Sequence, residues 1–116
     1  MLDTSVEGWG EVQVTDDPAA MKVVAAADVR RFVAAHGGDL YVWVSVHGWG
    51  FFRTALLEAA TEPPLKPGLF FRRRRVRGFN LQLEAARHWW PKTLELEICG
   101  RGKRVCAYWN GQGWVG

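Results

Sequence analysis

The sequence predicts one α+β domain, with a single main helix packed on a mostly antiparallel, partly mixed sheet of about six strands. Two observations lead there. One segment near the start carries apolar residues at helical spacing, and the rest of the chain is a series of short period-two segments separated by glycine and proline turns. Length supports a single unit, because 116 residues fall short of the ~150 typical of one domain yet suffice for a core without staples. A composition of 48% hydrophobic and 23% charged residues excludes a disordered or collagenous chain. No apolar run approaches the ~18 residues of a membrane span. We divide the chain into an N-terminal extension (1–10), the domain (11–109) and a C-terminal tail (110–116).

Glu11-Val-Gln-Val-Thr15 alternates and reads as a strand. Asp16, Asp17 and Pro18 form a helix-start signal, since a carboxylate accepts first-turn amide hydrogens and proline tolerates the first helical position. Met21, Ala25, Val29, Phe32 and His36 would then share one helical face, stopped by Gly37-Gly38. An alternative stays open, in which Met21-Lys-Val-Val24 is a strand and Asp28 caps a shorter helix from Val29 to His36.

Leu40, Val42, Val44 and Val46 alternate with Tyr41, Trp43, Ser45 and His47, which predicts a central strand covered on both sides. His47-Gly-Trp-Gly50 reads as a turn. Phe51 to Ala60 has helical composition, but its place just after a glycine turn favours a returning strand. Pro63-Pro-Leu-Lys-Pro-Gly68 is a loop. Leu69 to Arg75 and Phe79-Asn-Leu-Gln-Leu83 are the next strands, with a bulge expected near Gly78. Ala85 to Trp90 is expected to form one helical turn ended by Pro91. Thr93 to Ile98 and Val105 to Trp109 form a hairpin across Gly100-Arg-Gly-Lys103, and Asn110 to Gly113 is a loop.

The order of helix, strand, glycine turn, returning strand, proline-rich loop and late Phe79-Asn-Leu-Gln-Leu-Glu84 strand resembles the HesB/IscA-like family of A-type iron-sulfur carriers over roughly residues 11–109. Val12-Gln-Val-Thr15, Gly48, Phe79, Leu81, Leu83 and Glu84 look most like family positions. The resemblance implies a family fold without the family's thiolate chemistry. Trp49 stands about where cluster-carrying members have a cysteine in the glycine turn, and the C-terminus Trp109-Asn-Gly-Gln-Gly-Trp-Val-Gly116 has no Cys-Gly-Cys. No cofactor is therefore expected, iron or an iron-sulfur cluster being the disfavoured alternative.

Cys99 and Cys106 have no counterpart in that pattern. A Gly102-Lys103 turn would set them directly opposite, within reach of a disulfide or a shared metal, whereas an Arg101-Gly102 turn would set Cys99 opposite Arg104. Two buried thiols in a reducing cytosol are the simpler expectation. His47, Cys99 and Cys106 are the weak metal candidates, and no close Cys-x-x-Cys or His-x-x-x-His spacing completes a site. His47 has no nucleophile elbow beside it, His36 ends a helix, His88 sits on a turn, and neither Gly-Trp-Gly triplet completes a phosphate loop. No catalytic residue is assigned.

Charge is concentrated. Fifteen Lys and Arg against 12 Asp and Glu give +3, and five of the arginines, Arg72, Arg73, Arg74, Arg75 and Arg77, occupy six positions, leaving −2 for the remainder. Guanidinium groups bind phosphate or carboxylate bidentately, and Phe70, Phe71 and Phe79 flank the run. The run reads as a solvated edge strand, as a nucleic-acid or other polyanion contact, or as a contact for an acidic protein. Seven tryptophans are many for one core, and Trp9, Trp49 and Trp114, among glycines, suggest a partner surface. The function expected is a non-catalytic binding or accessory module that uses His47 and Trp49 of an aromatic turn and the arginine edge. A small RNA- or polyanion-binding domain is the first alternative, and a metal-dependent redox protein is the second. The start of the chain lacks the basic and apolar stretches of a secretory signal, so a cytoplasmic location is expected, with no membrane partner, an unidentified protein or polyanion partner, and a homodimer left open.

Overall fold

The structure, a computed structural model, describes residues 14–15, 20–86 and 89–111. Within them the order is β1 (Val14–Thr15), β2 (Lys22–Ala25), α1 (Ala27–Ala35), β3 (Asp39–Trp49), β4 (Phe52–Ala60), β5 (Phe71–Val76), β6 (Phe79–Glu84), β7 (Trp90–Pro91), β8 (Thr93–Cys99) and β9 (Arg104–Trp109). The α+β class is thus as expected, but the strands form two mixed sheets and a separate pair. One sheet runs β4-β3-β6-β5, the other β2-β8-β9, and β1 pairs with β7. The parallel pairs are β3 with β6 and β2 with β8, and all others are antiparallel.

Alternation explains how the two main sheets close on each other, because residues directly opposite across a ladder share a face. Leu40, Val42 and Val44 of β3, Leu57 of β4 and Phe79, Leu81 and Leu83 of β6 are buried on one face of the four-stranded sheet. They meet Leu94 and Leu96 of β8 and Val105, Ala107 and Trp109 of β9 in one core. The helix contributes Val29 and Val33, both fully buried.

The β-branched pair Val23-Val24 settles the question left open at the N-terminal side. Lys22 to Ala25 pair in parallel with Thr93 to Leu96, so this segment is strand and the helix is the shorter one. The helix begins at Ala27 without a side-chain cap, and Asp28 lies in its first turn, its Oδ1 accepting from the Val29 amide at 2.8 Å. Asp28 is therefore not the cap that the sequence suggested. Glu11 to Gln13 and the Asp16-Asp17-Pro18 signal lie outside the described residues.

Three further expectations need correction. His47, Gly48 and Trp49 are not a turn; β3 runs through them, pairing Trp49 with Phe52, and the reversal is at Gly50 (φ +62°) and Phe51. Gly78 is not a bulge but half of the Arg77-Gly78 reversal between β5 and β6, at φ +96°. The positive φ favours glycine, and a Cβ there would also come within 2.9 Å of Arg30 Cδ, so the Arg30 side chain would have to shift. Trp90 and Pro91 are not the end of a helical turn; they are buried and pair with Thr15 and Val14. Trp109 is likewise a core tryptophan, whereas Trp89 is exposed.

Candidate functional site

The face of the four-stranded sheet turned away from the core is where chemistry collects. On β3 the outward residues are Tyr41, Trp43, Ser45 and His47, since their neighbours Leu40, Val42 and Val44 point inward. The register places Tyr41 beside Gln82 of β6, and Gln82 beside Arg73 of β5. Phe71, Arg73 and Arg75 therefore share this outer face, while Arg72 and Arg74 lie opposite Leu83 and Leu81 on the core side at the sheet edge.

Period-two alternation read from sequence puts Arg73, Arg75 and Arg77 on one face and Arg72 and Arg74 on the other, and the strand residues among them divide in this way. Arg77 departs from that pattern because it occupies the reversal rather than the strand. Arg72, Arg73, Arg75 and Arg77 are exposed, and Arg74 is half-buried and already engaged. Opposite each outward arginine stands an amide and not a carboxylate: Arg73 faces Gln82 and Arg75 faces Asn80. Arg75 Nη1 donates to Asn80 Oδ1 at 3.1 Å. Neither cation is neutralised by its cross-strand neighbour.

The carboxylates of this face have structural tasks. Parallel pairing of β3 and β6 ends at Val42 and Leu83, and Glu84 Oε1 then accepts from the Val44 amide at 2.9 Å, prolonging the ladder by a side chain. Asp39 Oδ1 accepts from Gln82 Nε2 at 3.2 Å.

Beside the arginines lies an aromatic strip. The Phe71 ring leans across β6, 5.1 Å from Tyr41 and 6.4 Å from Trp43 between centroids, edge-on to both. All three side chains are part-exposed. Edge-to-face contact holds the rings in place while each side chain keeps part of its surface toward solvent. Tyr41, Trp43 and Gln82 were not singled out as site residues from sequence, and Phe71 was noted only as flanking the arginine run. The signal was present in the β3 alternation, but it was read as a strand covered on both sides.

His47 is exposed at the far end of β3. Its Nε2 lies 2.8 Å from Ser45 Oγ and 3.6 Å from Glu58 Oε2. A relay would need the carboxylate on Nδ1 and the hydroxyl on Nε2, so one nitrogen serving both partners does not make a Ser-His-Glu triad. The backbone of Trp49 continues the same strand, and its side chain lies outside what is described. Beyond it, Phe51 and Phe52 form an exposed apolar tip to the hairpin, and Val46, on the other face of β3, is exposed as well. Trp9 and Trp114 lie outside the described residues.

The cysteines are not free. Cys99 and Cys106 form a disulfide with their Cα atoms 6.0 Å apart. The register is the one with Cys99 opposite Arg104 and Glu97 opposite Cys106, so the bridge is diagonal and not directly across. It lies on the outer face of its sheet, half-exposed, which corrects the expectation of two buried thiols. Gly100, Arg101 and Gly102 all take positive φ, a reversal that two glycines make affordable. Because the bridge closes a short loop outside the core, its reduction is expected to cost about 2–3 kcal/mol and leave the fold intact. Urea unfolding with and without reductant measures this, and an unchanged midpoint would contradict it.

Bonded sulfurs cannot act as thiolate ligands, and the described residues contain no group of three His, Cys, Asp or Glu side chains able to hold a metal. His47, Cys99 and Cys106 are not brought together as one. A shallow cleft of about 280 Å³ runs between the ends of β4 and β9, lined by Phe32, His36, Thr61, Glu62 and Lys103 among others. His36 Nδ1 there lies 2.7 Å from the Phe32 carbonyl oxygen, and its ring stacks on Phe32. No helix among the described residues is long and apolar enough to cross a membrane. Comparison of the chain with family models, with curated proteins and with solved structures finds no match.

Proposed function

We propose that this chain is a non-catalytic binding module whose ligand surface is the outer face of the four-stranded sheet and its β5 edge, and that the ligand is anionic. The observation that carries this reading is the pairing of Arg73 and Arg75 with amides, next to a part-exposed aromatic strip. An edge strand needs charge to resist sheet-to-sheet association. Five arginines in six positions, two of them aimed at the same face as three aromatic rings, exceed that need. In this reading the resemblance to HesB/IscA-like carriers is one of sequence pattern alone, with the thiolate positions given up.

Binding to immobilised heparin tests the proposal. Retention at low salt is expected, with log affinity falling linearly in log salt as counterions are released. Passage through the column at low salt without retention would overturn it.

A further inference from the structure

The outer face has two parts that different ligands would use differently. The β5 edge rewards any anion, whereas Phe71, Tyr41 and Trp43 reward only a ligand with flat, unpaired rings. From the geometry we infer that the ligand is a single-stranded nucleic acid, its phosphates lying along β5 and its bases turned inward onto these rings; the inference rests on the anionic reading of the face given above.

The register supplies the layout. Arg73, Gln82 and Tyr41 form one cross-strand row over β5, β6 and β3. Two strand spacings, about 10 Å, separate the backbones of Arg73 and Tyr41, a distance on the scale of a nucleotide from its phosphate to the far side of its base. Phe71, leaning across β6, offers a ring between the two ends. Trp43 lies two residues further along β3 and extends the strip for a following base.

Other anions match less of the surface. An acidic peptide or a polyphosphate would pair with the guanidinium groups and leave three part-exposed aromatic rings without a role. A duplex keeps its bases stacked on one another and shows a flat sheet only its backbone and groove edges. The amides Asn80 and Gln82 use one group each, Asn80 Oδ1 accepting from Arg75 and Gln82 Nε2 donating to Asp39, and each keeps a donor or an acceptor that a base edge can meet.

The test varies the ligand and not the protein. Fluorescence anisotropy of the full chain is measured at fixed low salt with labelled oligothymidylate, oligouridylate, an abasic deoxyribose-phosphate oligomer of equal length and a DNA duplex. The base-bearing single strands are expected to bind about tenfold or more tightly than the abasic oligomer of equal charge. Trp43→Leu, with folding checked by its melting curve, is expected to reduce that ratio while leaving abasic binding unchanged. Equal affinity for abasic and base-bearing strands, or tighter binding of the duplex, would overturn the inference and leave the anionic reading standing. Failure of every oligomer to bind, the abasic one included, would remove the anionic reading as well. Oligothymidylate and oligouridylate separate a DNA from an RNA source.

Discussion

Replacing Phe79 with Ala is expected to destabilise the protein by about 3–5 kcal/mol, the largest effect of any single change considered. Phe79 is 1% exposed and opens β6, the strand that joins β3 to β5 and so carries the arginines into the sheet. Its ring shares the core with Leu81, Val29 and Val33. Neighbours fixed in two sheets and a helix cannot collapse far into the space left by a phenyl ring, so a cavity term adds to the lost transfer energy. A domain of this size has only about 5–15 kcal/mol of stability, and the variant should therefore unfold at far lower denaturant. Urea titration checks this, and a loss below about 1 kcal/mol would show that Phe79 is not in the core.

The double variant Arg73→Gln/Arg75→Gln is expected to weaken polyanion binding by about tenfold to a hundredfold at low salt. It should also flatten the slope of log affinity against log salt by about 1.4 on a single strand, two contacts at about 0.7 each. Both side chains are exposed on the outer face, and glutamine can keep an amide at Arg75 for Asn80, so the fold should be unaffected. Replacing Arg72 instead, which lies on the core-facing side of the edge, should have the smaller effect on binding. An unchanged slope in the double variant would return the run to a charged edge that keeps the sheet soluble.

How much of this was legible in the sequence depended on how local the deciding interaction was. The alternation of β3, β6, β8 and β9 was readable because each strand carries its own inward and outward residues. The β4 segment was harder, since Phe52 to Ala60 has helix-forming composition. Its nine-residue ladder with β3 overrides that preference, as tertiary context commonly does. Lys22 to Ala25 became strand only because β8, some seventy residues later, offers a parallel partner. That fact is not local. The buried pairing of Trp90 and Pro91 with β1 was invisible for the same reason.

The site was half legible. Five clustered arginines can be counted, and period two divides the strand residues between faces without any structure. Which face stays open cannot be read that way, and Tyr41 and Trp43 were accordingly assigned to a second covered surface. The hairpin register also resisted, because two turns were compatible with the glycines at 100 and 102. The structure selects the one that puts Cys99 opposite Arg104, and the bridge forms across the diagonal. Such a bond persists in oxidising surroundings and is reduced in a cytosol, so the location expected from sequence bears directly on its state.

Chemical-shift mapping of the isotopically labelled protein on titration with oligothymidylate tests the central claim most directly. The account predicts that shifts concentrate on Tyr41, Trp43, Phe71, Arg73, Arg75 and Gln82, fading toward the core side of the same strands. Shifts confined to the cleft between β4 and β9 or to the Phe51-Phe52 hairpin tip, with the outer face of the four-stranded sheet unmoved, would contradict it.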